Sequence, residues 1–376
     1  MPEPTLAVLL GAALMLSLNA YVLLGGADFG GGVWDLLASG ARKDRQRALV
    51  AEAIGPIWEA NHVWLILVVV LLFTCFPPAF ALLSVALHIP FTLVLIGIVL
   101  RGAAFTFRTY DTQRDDVQRR WGRLFAAASL VTPVLLGVAV GTIAAGDVGP
   151  PAGSFVSGYV RPWLRPFPLA VGGLALVLFA YLAAVYLTLE APDRPLQDDF
   201  RLRAMGTGAA ALGLAALSLA LAHEAAPPVW QMLFASDWAI ALHLATGLAA
   251  VTALVALWRR RWAVARAAAA LQVSCILWGW ALSQYPYLVP PHYTVAAAAA
   301  PAVTLRLVLV ALCLGALVLF PSLYYLFRVF KTPAHDGAPF RVPGIADAPR
   351  NHPTSPAPVD CGRHRCSAHR ERRSAR

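Results

Sequence analysis

Asp28, Glu59, His62 and Arg101 are the residues of this sequence whose types and places call for chemistry, because each falls in or beside a long apolar run. A charge at membrane depth costs about 2.5–3.5 kcal/mol even on the mildest insertion scale, so each needs a partner or a task. Asp28 lies in Gly25-Gly26-Ala27-Asp28-Phe29-Gly30-Gly31-Gly32. Five glycines let neighbouring backbone come close and permit a sharp chain reversal, which sets the carboxylate in a crowded interface rather than in lipid. The plainer alternative is a solvated acid at a helix terminus. Glu59 and His62 lie in Gly55-Pro56-Ile57-Trp58-Glu59-Ala60-Asn61-His62-Val63-Trp64. Pro56 suits a helix start, an acid is favoured near that positive N-terminus, and positions i and i+3 share a face. A carboxylate beside an imidazole can exchange protons near neutral pH, as a proton-entry site requires. An N-terminal acid among interfacial tryptophans is the plainer alternative. Arg101, in Val99-Leu100-Arg101-Gly102, must snorkel or find an anion.

The elements that position these groups follow from composition. Of 376 residues 59% are hydrophobic and only 13% charged, against roughly a quarter charged in soluble domains. Apolar runs recur at the length that crosses about 30 Å of hydrocarbon. They predict an all-α polytopic membrane protein with nine spans, near 5–26, 58–76, 79–106, 121–145, 166–189, 205–222, 237–258, 262–282 and 304–328. Basic residues test the number, since they should collect in alternate loops. Arg42, Lys43, Arg45 and Arg47 follow the first span, and Arg108, Arg114, Arg119 and Arg120 the third. Arg194, Arg201 and Arg203 follow the fifth, and Arg259, Arg260 and Arg261 the seventh. Of the other loops only the one after the fourth span is basic, with Arg161 and Arg165. Nine spans with the N-terminus outside and the C-terminus cytoplasmic satisfy this alternation. Asp28, Glu59 and Arg101 then converge towards the cytoplasmic side. The first run has no Lys or Arg before it and no A-x-A site, so it is expected to be a retained helix.

The transmembrane domain is expected over 1–330 and a disordered basic tail over 331–376, rich in Pro, Arg, His and Ser. Cys361, His364, Cys366 and His369 in that tail fit no closed metal-site spacing. No metal site is assigned, and with no paired cysteine framework in an outside loop, disulfides are not expected to hold the fold. The net charge of +10 is explained by orientation signals, so nucleic acid is not an expected partner. His62, His88 and His243 lie within or near spans, but a lone histidine more often bonds a neighbouring helix than a haem. Gly137 and Gly141 form a G-x-x-x-G in the fourth span, which is a helix-packing signal. On residues alone, a secondary transporter with Asp28 and Glu59 as coupling carboxylates competes with proton delivery to another protein. A structural scaffold is a third reading.

At these residues the sequence resembles the smaller subunit, subunit II, of bacterial cytochrome bd quinol oxidase, including its cyanide-insensitive branch. The resemblance is carried by Gly26-Ala27-Asp28-Phe29-Gly30, by Trp58-Glu59-Ala60-Asn61-His62-Val63-Trp64-Leu65 and by Leu100-Arg101-Gly102. Gly137-Val138-Ala139-Val140-Gly141 and Tyr285-Pro286-Tyr287-Leu288-Val289-Pro290-Pro291 add to it, over residues 1 to about 330. It implies two four-helix bundles plus a peripheral ninth helix in the bacterial inner membrane. It also implies a larger partner, subunit I, that holds haems b558, b595 and d, oxidises quinol and reduces oxygen to water. This chain would ligate no haem, and a structural quinone is compatible with the family. Asp28 and Glu59 match the family's proton-delivery carboxylates, with His62 in support; Trp58 and Asn61 flank them, and Arg101 matches a basic position near the haem region. Gly26 and Gly30 belong to the packing part of the motif. Some relatives carry Asp where this chain has Glu59.

Overall fold

The computed structural model describes residues 3–54, 58–110, 115–149 and 153–331. Among the described residues the elements are α1 (Glu3–Leu36), α2 (Lys43–Ile54), α3 (Trp58–Cys75), α4 (Pro77–Ala86), α5 (His88–Tyr110), α6 (Asp115–Ala144), α7 (Phe155–Tyr159), α8 (Pro166–Glu190), α9 (Arg194–Ala225), α10 (Pro227–Ala235), α11 (Asp237–Trp258), α12 (Trp262–Gln284) and α13 (Ala302–Lys331). A 3-10 turn at Pro162–Leu164 precedes α8, and a two-stranded hairpin of β1 (Tyr287–Val289) and β2 (Tyr293–Thr294) precedes α13. One compact unit covers residues 1–323, and the second begins at Tyr324. Eight of the described helices are long and apolar enough to span a membrane, and up to nine spans result if the bent pair Lys43–Ile54 and Glu59–Cys75 is one. The chain is a polytopic helical membrane protein.

Helices α1 and α8 organise the first unit. α1 packs on α3, α6 and α8; α8 packs on α6, α9 and α12; and α5 pairs with α6 as α11 does with α12. Small residues make this possible, because without a hydrophobic drive between helices in lipid, association rests on close packing. A Cβ on Gly30 would fall on the backbone carbonyl of Phe179 in α8, and one on Gly26 would stand 2.7 Å from the Phe179 ring. On α6, a Cβ at Gly137 would lie 2.7 Å from Val171 O, and one at Gly141 2.7 Å from Pro168 Cα.

The structure departs from the sequence expectation in three places. The glycine-rich stretch Gly25–Gly32 does not reverse the chain: α1 continues through it to Leu36, with Gly26 and Gly30 against α8, Gly32 against α6 and Gly31 against α2. The expected third span, 79–106, is broken at Leu87 into α4 and α5. Two other breaks, at the ends of α3 and α9, share one design. Phe76 (φ −133°, ψ 57°) ends α3 ahead of Pro77-Pro78, and Ala226 (φ −140°, ψ 59°) ends α9 ahead of Pro227-Pro228. Each proline pair lacks backbone donors and opens a short helix, followed by a long one, so the order long, short, long recurs in α3–α4–α5 and α9–α10–α11. The repeat is one of breaks rather than of side chains. Third, α9 reaches back to Arg194, well before the expected 205, capped by Asp193, whose side chain accepts from Leu196 N at 3.1 Å. The expected tail, apart from Lys331, lies outside the described residues.

The charged loops sort to two ends. Arg42 and Gln46, after α1, bond Asp199 at 2.8 Å each, Arg45 pairs with Asp193, and Arg260, after α11, reaches Asp198 at 3.1 Å. The Arg45 guanidinium and the Leu196 amide hold the Asp193 carboxyl below the usual carboxylate range. Loops after α1, α8 and α11 thus meet. Elsewhere Arg165 pairs with Asp147, and Gly146 lies against Pro290 beside the hairpin. Replacing Gly30 with Ala should destabilise the protein by about 1–3 kcal/mol, the usual cost of overpacking. A lower Tm in detergent checks it, with Gly206→Ala unchanged, since a Cβ at Gly206 meets nothing within 4 Å.

Candidate functional site

Buried polar side chains from α1, α3, α5 and α6 meet in one cluster. Asp28, Asn61 and Arg101 are 4%, 2% and 2% exposed. Asn61 donates from Nδ2 to Asp28 Oδ2 at 2.8 Å, tying α3 to α1. Arg101 donates from Nη2 to the Asp28 backbone carbonyl at 2.7 Å and from Nε to Ser129 Oγ at 3.3 Å, tying α5 to both α1 and α6. Its guanidinium stands 4.8 Å from the Phe29 ring centroid and 5.1 Å from that of Phe125. A cation taken out of water needs these donors satisfied and its charge faced by electron-rich surface. Three helices and two aromatic faces supply that surrounding.

Local sequence explains why the groups meet. Asp28 and Arg101 are each one residue from a small or aromatic packing position, and Gly32 leaves room for the Ser129 side chain that Arg101 uses. Gly97, one turn before Arg101 on α5, leaves similar room for the Thr132 hydroxyl of α6. Tyr21, two turns before Asp28 on α1, is 1% exposed, and its ring meets His62 edge-on at 5.9 Å. His62 also lies 6.0 Å from Phe29.

The expected residues are not all together. Asp28, Asn61 and Arg101 form one cluster, and His62 packs at its margin among Tyr21 and Phe29. Glu59 is exposed at the first turn of α3 rather than buried beside Asp28, because helical rotation from Asn61 turns position 59 away from α1. The side chain of Trp58 lies outside the described residues. Sequence reasoning missed Ser129, Phe125, Phe29 and Tyr21. The last two carried a signal, since an aromatic next to Asp28 and one at i−7 share the acid's neighbourhood on a helix.

Among the described residues no three His, Cys, Asp or Glu side chains form a group able to hold a metal ion. His88 and His243 each place Nδ1 on a carbonyl one turn back, Val85 O at 2.9 Å and Ala239 O at 2.6 Å, and meet the rings of Tyr159 and Phe234. Both occupy exposed positions, whereas His62 is half-buried among Tyr21 and Phe29.

The chain is similar to known proteins. A family described as cytochrome bd terminal oxidase subunit II matches residues 6–330. Cytochrome bd ubiquinol oxidase subunit 2 of Bacillus subtilis strain 168 is 29% identical over 161 residues, 43% of this chain and 46% of that protein. A putative cytochrome bd menaquinol oxidase subunit II of the same organism is 20% identical over 321 residues, 82% and 91% of the two chains. Cytochrome bd-I ubiquinol oxidase subunit 2 of Escherichia coli K12 is 26% identical over 206 residues, 54% and 53% of the two. This chain thus spans about half the length of the first and third of these relatives. Among solved structures, bd oxidase from Geobacillus thermodenitrificans matches with a TM-score of 0.70 at 24% identity, covering 87% of this chain and 98% of that one. That likeness is one of fold.

Asn61→Leu removes the donor to Asp28 while keeping the branched shape of the side chain. It should cost about 1–3 kcal/mol, the range for taking one hydrogen-bond partner from a buried charged group. A lower Tm checks it, and Asn61→Asp, which faces one carboxylate with another, should cost at least as much.

Proposed function

The chain belongs to the cytochrome bd terminal oxidase subunit II family, and from that premise we propose that it is the subunit of a terminal respiratory quinol oxidase that supports a haem-bearing partner and passes cytoplasmic protons towards it. The partner is a larger subunit I in the bacterial inner membrane, with quinol as reductant and oxygen as acceptor. Haems b558, b595 and d, held by that partner, supply electron transfer and oxygen reduction. This chain's residues hold and move protons.

The observation that carries the reading is a buried acid hydrogen-bonded to a residue two positions from an exposed one. Glu59, at the open first turn of α3, takes up protons from solution. Asn61 on the same helix holds Asp28 in one orientation. Asp28 receives the proton within the bundle, where Arg101 fixes the local potential through its bond to the Asp28 carbonyl. His62 lines the approach among Tyr21 and Phe29. The meeting of the basic loops after α1, α8 and α11 at one end supports an orientation with that end cytoplasmic and the N-terminus outside.

Glu59→Gln keeps shape and removes the titratable group. Quinol-dependent oxygen consumption by the purified complex should fall about 100-fold or more, in the range of a positioned proton-transfer group, while the reduced-minus-oxidised haem spectrum is unchanged. Full turnover in Glu59→Gln and in Asp28→Asn would leave this chain a scaffold only. A chain stable and active in transport without a haem-bearing partner would make it a transporter instead.

A further inference from the structure

Where α1 ends and α2 and α9 begin, a crevice of about 300 Å3 opens, lined among others by Ser39, Gly40, Arg42, Asp199, Leu202 and Arg203. Two guanidiniums face one carboxylate, so the lining carries one uncompensated positive charge. Both cations are held in place before any ligand arrives. Arg42 grips Asp199 through Nε at 2.8 Å and Nη2 at 2.5 Å. Arg203 donates from Nη2 to Gln46 Oε1 at 2.7 Å and to Leu37 O at 3.3 Å. Its guanidinium stands 5.2 Å from the Trp34 ring and 5.1 Å from that of Phe200. Its Nη1 is buried without a hydrogen-bond partner, so the protein does not fully meet the donors of this guanidinium.

The lip of the crevice is apolar. Leu202 of the lining is 66% exposed, and Leu37, just past α1 with its carbonyl on Arg203, is 53% exposed; α1 and α9 are both long and apolar enough to span the membrane. An occupant must therefore bring one negative charge, oxygen acceptors for guanidinium donors, and hydrocarbon for the exposed leucines. We propose that this crevice binds the headgroup phosphate of an anionic phospholipid of the phosphatidylglycerol type, with acyl chains lying along Leu37 and Leu202. A phosphodiester carries one negative charge, which matches the lining, and its oxygens suit a forked guanidinium. The exposed Arg42, whose side chain is 44% accessible, closes over the headgroup from the aqueous side. A zwitterionic phosphatidylcholine would bring its own cation to a site already positive. This assignment is independent of the proton-path reading.

The whole complex, stripped in detergent and returned to nanodiscs of phosphatidylcholine alone or mixed equally with phosphatidylglycerol, tests the site by Tm and by the lipid retained in native mass spectrometry. Phosphatidylglycerol should raise Tm above the phosphatidylcholine value and remain bound to wild type, whereas inorganic phosphate added to detergent solution should do neither. Arg42→Gln should weaken retention about tenfold, one charge-assisted contact's worth, with its phosphatidylcholine Tm unchanged. Arg45→Gln, outside the crevice, should retain the lipid as wild type does. Equal Tm in the two discs, undiminished retention in Arg42→Gln, or the same shift from phosphate alone would overturn the proposal.

Discussion

A guanidinium that is 2% exposed between membrane helices sets the terms for everything around it. Arg101 cannot shed its charge, so its cost of leaving water must be offset by contacts that the fold builds in. Those contacts come from α1, through the Asp28 carbonyl and the Phe29 ring, and from α6, through the Ser129 hydroxyl and the Phe125 ring. A backbone carbonyl as acceptor is demanding, because it fixes α1 and α5 within one hydrogen bond of each other. A flexible side chain on α1 would have allowed the helices to part. Once α1 is drawn to α5 in this way, Asp28 faces α3, and Asn61 becomes its donor. The acid's environment is thus a consequence of where the arginine had to be satisfied.

Bringing α1 so close to its neighbours is what its glycines accomplish. Gly30 brings α1 against the α8 backbone at the Phe179 carbonyl, and Gly32 takes the Ser129 side chain of α6 directly against α1. The Gly137 and Gly141 pair does the same between α6 and α8. Helices that lipid does nothing to push together are held by backbone proximity, and the polar cluster sits in the region this proximity creates. Its neighbours α3–α4–α5 and the corresponding α9–α10–α11 share their proline-opened breaks, yet the cluster of Asp28, Asn61 and Arg101 draws only on α1 and the first of these series.

Much of this was legible in the chain, for identifiable reasons. An intramembrane Asp or Arg stands out because its transfer cost is large, so Asp28 and Arg101 drew notice at once, and Asn61 came with the motif. The outward position of Glu59 was not legible, because i, i+3 spacing says which residues share a face but not what that face meets. The glycines around Asp28 were legible as a call for close approach but not as a straight helix, since the partners that fill their space lie in α6 and α8, far along the chain. The breaks at Phe76 and Ala226 fell between expected spans, but the one at Leu87 escaped, because apolar windows average over backbone angles and the run on either side of it stays hydrophobic. Ser129 was invisible: a serine in an apolar helix is ordinary until an arginine 28 residues away needs it.

The length of α1 bears on energetics across the membrane as well as on packing. Its 34 residues extend about 51 Å at 1.5 Å per residue, and Asp28 lies about 37 Å from the first of them. A hydrocarbon layer about 30 Å thick would end before that point on an upright helix, so the acid is kept from water by protein rather than by lipid. In the proposed orientation it is then electrically close to the cytoplasm. A proton arriving there has crossed little of the membrane voltage, which is worth about 2.3 kcal/mol per charge for each 100 mV. The work against that voltage would fall on the steps beyond Asp28, in the partner that carries the haems, and the acid would serve as a reservoir at nearly cytoplasmic potential.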